Sequence, residues 1–241
     1  MRLSTQERSI TRFGGFCSLC AGACFFLVVC CAFLSPASVI SYVASDQYFS
    51  DFKSYRPIFV LLKWLLLFAN MSMIGVACTF FSLRREENHG LMAWITCVAI
   101  IGFGIGMLQS VQDLSTVPYL ADKYAAGTPI TREVIIALGV ANPSIYILSL
   151  GLPGFWFILV SWRALGNPGI PKHLLILGFL WGVGNLLTVI AHVFVIIRLI
   201  RLVTLGASVF APMWSIAEGL YLLKLSRAAA VPDVRADELI Q

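Results

Sequence analysis

The chain alternates long apolar runs with short polar breaks, and the runs have the length of helices that cross a bilayer. Such a helix takes about 20 mostly apolar residues at about 1.5 Å each. Six runs qualify: 14–44, 57–83, 90–111, 133–162, 171–197 and 203–223. Polar breaks at "SDQYFSDFKSYRP" and "RREENHG" separate the first three. The fourth is overlong, and Pro143 in "ANPS" is expected to kink it. Its first part, "GTPITREVIIALGV", reads as a helical turn or two outside the hydrocarbon, with Thr128 as N-cap and Pro129 at N1. Only "RLIR" divides the fifth run from the sixth, and its two arginines suit a tight turn better than lipid.

This pattern predicts an all-α polytopic membrane protein, a single bundle of six helices over 1–225, with 226–241 as a short cytoplasmic tail. Composition agrees: 59% of the 241 residues are hydrophobic and 12% charged, and mean hydropathy is +0.87. Soluble domains carry about a quarter charged residues. The net charge of +5 is spread over short loops, which excludes the clustered basic face of a nucleic-acid binder.

Basic residues set the expected orientation. Arg2, Arg8, Arg12, Arg84, Arg85, Arg163, Lys172, Lys224, Arg227 and Arg235 make ten on one side. Lys53, Arg56, Lys123, Arg132, Arg198 and Arg201 make six on the other. Both termini are therefore expected in the cytoplasm, in the inner membrane if the source is bacterial. A cleaved signal peptide is the rival reading of the first run, against which its length speaks.

Five of the seven cysteines fall within "FCSLCAGACFFLVVCC". Cys17, Cys20, Cys24 and Cys31 recur at helical steps, so they read as small residues along a helix–helix contact. The alternative is chemical. Cys17, Cys20, Cys78 and Cys97 all lie about 8–12 Å inside the cytoplasmic end, at one depth, where thiolates from several helices would suit a soft metal or a redox role. Glu218 reaches the same level.

Polar residues within apolar helices are the other lead, because they are costly in hydrocarbon. Thr204, Ser208, Ala211, Ser215 and Glu218 form a small and polar stripe on the sixth run. Gly178, Gly182, Asn185, Thr188 and His192 form another on the fifth, and the two stripes are expected to meet as antiparallel neighbours. Glu218 is expected to face the bundle, near Ser18 and Thr96, with Arg12 or Arg163 as its only candidate cations. Asn70 and Asn185 lie nearer the midplane, where they would line a cavity. Lys63, near an outer helix end, is expected to snorkel. His192 and Glu218 lie about 20 Å apart along the membrane normal, which excludes a direct acid–base dyad.

Enzyme signatures fail: there is no G-x-S-x-G elbow and no H-E-x-x-H. "REENHG" lacks the arginine that a glutamate-rich intramembrane protease pattern would place after its glutamates, and three histidines cannot supply two bis-histidine haems.

The stretch "FWFILVSWRALGNPGIPKHLLILGFLWGVGNLL" followed by "MWSIAEGLYLLK" resembles the C-terminal half of a family of bacterial six-helix integral membrane proteins designated a domain of unknown function. The likeness rests on Pro171 after a basic turn, on Gly178 and Gly182, and on the Glu218–Gly219 pair; "RSITRFGGFCSLCAGACFF" resembles the family's basic start into its first helix. The resemblance implies the six-helix fold, and no activity, cofactor or catalytic residue comes with it. The cysteine cluster lies outside that pattern. The reading is thus a non-enzymatic bundle, without a cofactor, that binds a lipid, a small apolar molecule or a protein partner. A small permease and an intramembrane metal or redox protein are the alternatives. A permease would show related halves or broken helices at matching positions, whereas prolines 143 and 153 interrupt only the fourth run.

Overall fold

The structure, a computed structural model, describes residues 4–40, 44–84, 89–139, 143–165, 169–194 and 197–228. Every element among them is a helix: α1 (Thr5–Leu34), α2 (Ala37–Ile40), α3 (Asp46–Arg84), α4 (His89–Ala126), α5 (Pro129–Leu138), α6 (Pro143–Ala164), α7 (Lys172–Val193) and α8 (Ile197–Ala228). α1, α3, α4, α7 and the Ile145–Ala164 part of α6 are long and apolar enough to cross a membrane. This is a polytopic helical membrane protein.

Each long helix packs on its neighbours in sequence, and α8 returns to α1, so α1, α3, α4, α6, α7 and α8 close into a ring. Alternate helices run in opposite directions. The end where α1 starts and α8 finishes is called proximal below, and the opposite end distal.

Close backbone approach holds the ring together. On α1 the buried stripe is Thr11, Gly14, Gly15, Ser18, Ala21 and Gly22. A Cβ at Gly15 would stand 3.2 Å from the Gly219 carbonyl, and one at Gly219 would stand 3.0 Å from that of Gly15. Beside them the Ser18 hydroxyl donates to the Ser215 carbonyl at 2.7 Å. Small residues at such contacts let backbones meet, which is what drives helix association in lipid.

Several sequence expectations need correction. α1 begins at Thr5, where Ser4 and Glu7 form a reciprocal capping box, and ends at Leu34, because Pro36 forces Ser35 into extended backbone. The run 14–44 is therefore not one helix. α3 and α4 extend past the predicted limits of 57 and 111, with Pro57 and Pro118 inside them. The run 133–162 is two helices rather than one kinked helix: α5, capped by Thr128 as expected, stops at Gly139 (φ 75°), and Pro143 opens α6. The arginines of "RLIR" stand inside α8, since α7 ends at Val193 and α8 starts at Ile197. Prolines also stand inside α3, α4 and α8, not in the fourth run alone. Residues 85–88, with the "REEN" glutamates, and the tail beyond 228 lie outside the described residues.

The extended parts of α3 and α4 have a physical reason to stay helical. At 39 and 38 residues they run about 57 Å, nearly twice the hydrocarbon thickness. Their distal ends carry a separate core: Tyr48, Phe49, Phe52 and Phe59 of α3 pack with Val117 of α4, Ile135 of α5 and Val39 of α2. The polar break "SDQYFSDFKSYRP" is thus an amphipathic helix whose aromatic residues are its buried face.

Candidate functional site, a polar lumen in the distal half of the ring

The two halves of the ring interior differ. Proximally an aromatic core fills the centre: Phe80, Ile95, Trp156, Phe157 and Trp214 pack in one cluster, with Trp156 edge-on to Phe80 (5.8 Å) and to Trp214 (6.3 Å). A second cavity of about 370 Å³ lies beside it, between Leu91 and Ile95 of α4 and Leu159, Trp162 and Arg163 of α6. Phe103 and Trp181 border both this core and a distal cavity of about 250 Å³. That volume is worth about eight waters at liquid density. All six ring helices and α2 contribute to its wall.

The wall is mostly apolar, with a minority of polar groups. Phe25, Phe59, Leu62, Leu66, Phe103, Leu150 and Trp181 supply hydrocarbon and ring faces. Lys63, Asn70, Gln109, Ser110, Ser149, Asn185, Thr188 and Ser208 supply polar groups. Many of these groups are tied back to the chain. Thr188 donates to the Gly184 carbonyl, Ser110 to that of Gly106 and Asn70 Nδ2 to that of Leu66, at 2.8–2.9 Å. Ser149 donates to Gln109 Oε1 at 2.9 Å. Asn70 has room because Gly106 faces it: a Cβ there would stand 2.9 Å from Asn70 Oδ1. Asn185 is different. It is 6% exposed, borders the cavity, and its amide makes no hydrogen bond to another described residue.

Lys63 does not snorkel. Its Nζ lies 2.6 Å from Asp113 Oδ2, and the two side chains are 4% and 8% exposed. The ammonium also stands 5.5 Å from the centre of the Phe59 ring, within cation–π range. Lys63 is the only lysine, arginine, histidine or acid that lines the lumen among the described residues, and Asp113 neutralises it from behind. Hydropathy alone does not mark Asp113, which falls two positions beyond the apolar run ending at 111. A usable signal existed. Counted from the α3–α4 hairpin, Lys63 lies 21 residues before Arg84 (84 − 63) and Asp113 lies 24 after His89 (113 − 89). Antiparallel neighbours place such positions at nearly one depth.

The residues singled out from sequence divide between two places. Asn70, Asn185 and Thr188 come together around the lumen. His192 sits distal to them, bonded through Nδ1 to the Thr188 carbonyl at 2.8 Å, with its ring 4.6 Å from that of Tyr146. Ser215 and Glu218 are elsewhere, buried in the proximal half of α8. The cation whose field reaches Glu218 is Arg84 at the end of α3, not Arg12 or Arg163. Tyr221, next to this pair, donates to the Gly169 carbonyl at 3.0 Å. The two stripes meet only in part: Ser208 and Ala211 of α8 line the lumen with Asn185 and Thr188 of α7, and Gly178 stands against Trp214 of α8. Ser215 of α8 packs on Ser18 and Gly22 of α1, while Gly182 of α7 faces Gly154 and Ile158 of α6. The Thr204 side chain lies outside the described residues.

The expected cysteine stripe along a helix–helix contact holds only for part of its members, and the α1–α8 contact is filled by glycine and serine instead. Cys20, Cys78 and Cys97 are exposed, Cys17 packs against Gly75 of α3, and Cys31 is buried. Among the described residues, no three of the His, Cys, Asp and Glu side chains come together as a group fit to hold a metal ion.

Fold and lumen together define a class: a polytopic helical membrane bundle, ring-closed, with an aromatic core at one end and a mostly apolar lumen carrying a few polar groups at the other. The chain belongs to the family described as domain of unknown function DUF4386, which matches residues 20–225. No curated protein and no solved structure matches it.

Proposed function

We propose that the protein is a six-span membrane bundle that holds a small amphipathic molecule in its distal lumen, without catalysing a reaction on it. In this reading α8 makes the sixth crossing, both termini are cytoplasmic, and the lumen belongs to the outer half of the membrane. The observation that carries it is Asn185. Its side chain sits inside the bundle, yet its amide opens onto the lumen and spends no hydrogen bond on the protein, so it is available to an occupant. The surrounding mixture of ring faces, hydroxyls and amides suits a molecule with a polar head and an apolar body. Against a transport role stands the aromatic core, which fills the centre of the proximal half.

Native mass spectrometry of the protein released from mild detergent tests the reading. A discrete small-molecule adduct is expected on the wild type, and the adduct should be lost in Asn185→Leu. A wild type free of any adduct, or a variant that keeps it, would overturn the reading.

A further inference from the structure

Resting on that reading, we infer that the lumen selects an uncharged head group that both donates and accepts hydrogen bonds, carried on a flat ring, and rejects anionic and cationic analogues of the same size. The lumen's one ammonium is already matched. Asp113 lies 2.6 Å from Lys63 Nζ, and both side chains are more than nine-tenths buried. An anionic head would have to draw Lys63 away and leave the buried Asp113 carboxylate without its partner. Separating a buried pair in that way is strongly unfavourable. A cationic head would meet Lys63 itself, with no acid on the lumen wall among the described residues. Desolvating either ion is costly, whereas a neutral polar head asks only for hydrogen bonds.

The hydrogen-bonding groups still open toward the lumen are of both kinds. Asn185 offers a complete primary amide, with two N–H donors and a carbonyl acceptor. Asn70 has given an N–H to Leu66 and keeps its Oδ1. Gln109 accepts a hydrogen bond from the Ser149 hydroxyl on Oε1 and keeps its NH₂. A head with only acceptors or only donors would leave part of this set unmet. A primary amide, or a hydroxyl beside a carbonyl, meets it.

The flat body follows from the floor of the lumen. Phe103 and Trp181 close it toward the solid core, and Phe25 stands edge-on to Trp181 with ring centres 5.4 Å apart. Aromatic faces at such spacings favour offset or edge-to-face partners. The volume of about 250 Å³ admits a ring with a short substituent.

Three probes that share a ring and differ in charge make the test: benzamide, benzoate and benzylammonium. Each is titrated into the purified full-length protein in detergent, with tryptophan fluorescence and the thermal unfolding midpoint as readouts. Benzamide is expected to quench fluorescence saturably and to raise the midpoint. The two ions are expected to bind at least about tenfold more weakly, a difference of about 1.4 kcal/mol. Asn185→Leu should abolish the benzamide response, and Asn185→Asp, which keeps the shape and adds a charge, should weaken it. If benzoate binds as well as benzamide, charge selection is refuted while the lumen remains a binding site. If no probe binds although the wild type carries an adduct lost in Asn185→Leu, the proposed head and body are refuted and the binding reading survives. If no probe and no adduct binds, both fall.

Discussion

Lys63 of α3 and Asp113 of α4 form a buried ion pair 2.6 Å long at the distal side of the bundle. Lys63 lies about 32 Å from Arg84 along α3, close to the span of the hydrocarbon. From that depth a lysine reaches the interface at little cost. The chain instead turns it inward, to an acid on the neighbouring helix and to the wall of the lumen. Removing one partner strands the other: Lys63→Met or Asp113→Leu alone should cost about 3–5 kcal/mol of unfolding free energy, and the double variant markedly less than the sum. A double-mutant cycle in detergent measures this, and additive single effects would show that the pair is not coupled.

Gly182 and Gly104 make a matched contrast. A Cβ on Gly182 would lie 2.7 Å from the Gly154 carbonyl oxygen and 3.1 Å from Ile158 N, both backbone atoms that cannot move aside alone. A Cβ on Gly104 would meet nothing within 4 Å. Gly182→Ala should therefore destabilise by about 1–3 kcal/mol through forced separation of α6 and α7, while Gly104→Ala should be neutral or up to about 1 kcal/mol stabilising. Equal responses in thermal unfolding would contradict the close crossing.

What could be read from the sequence depended on how local the signal was. Hydropathy marks helices whatever they pack on, so Thr128 at its cap and the interior-facing Ser215 and Glu218 were legible. The distal extension was not, because "SDQYFSDFKSYRP" is polar by count and only its aromatic periodicity marks a buried face. The partner of Gly182 was equally hidden. A glycine announces close approach without saying to which helix, and sequence adjacency of α7 and α8 suggested the wrong one. Asn70, Asn185 and Thr188 were found because amides and hydroxyls stand out against leucine. Asp113 was lost at a boundary drawn by hydropathy.

The distal extension should respond to its core rather than to its surface charges. Arg56 and Asp122 bridge α3 and α4 at 2.9 Å, but their side chains are 45% and 63% exposed, and such pairs contribute about 0–1 kcal/mol. Phe52 is fully buried among Tyr48 and Phe59. Phe52→Ala should cost about 3–5 kcal/mol and speed hydrogen exchange in 46–60 and 112–138, with the membrane ring little changed. Arg56→Ala should leave exchange there near wild type. Equal protection in the two variants would mean that the extension does not depend on this aromatic core.

Orientation has a direct readout. Lys53 is exposed on the distal extension and Glu7 is only partly buried at the proximal end. In intact cells a membrane-impermeant maleimide should label Lys53→Cys above the wild-type background set by the seven native cysteines, and should label Glu7→Cys only after permeabilisation. The reverse pattern would invert the proposed topology, placing the lumen in the cytoplasmic half of the membrane.

Glu218 poses the sharpest question in the proximal half. It is 3% exposed, beside Gly219 where α8 crosses α1, and Arg84 is the charge that acts on it. An acid at a membrane-helix centre costs about 2.5–3.5 kcal/mol on insertion scales, so its retention in a solid core requires polar company. Arg84 and the neighbouring Tyr221 provide it. Glu218→Gln keeps the shape and one acceptor oxygen and should lose at most about 1–2 kcal/mol, the scale of a charge-assisted hydrogen bond. Glu218→Leu removes every acceptor together with the charge that Arg84, itself 6% exposed, acts on; its cost should exceed that of Gln by about 1–3 kcal/mol. Arg84→Met combined with Glu218→Leu should recover part of that loss. Unfolding curves of the four variants decide the matter. If Leu is tolerated as well as Gln, and the double variant recovers nothing, the two residues are not coupled and Glu218 reaches water at the proximal surface instead.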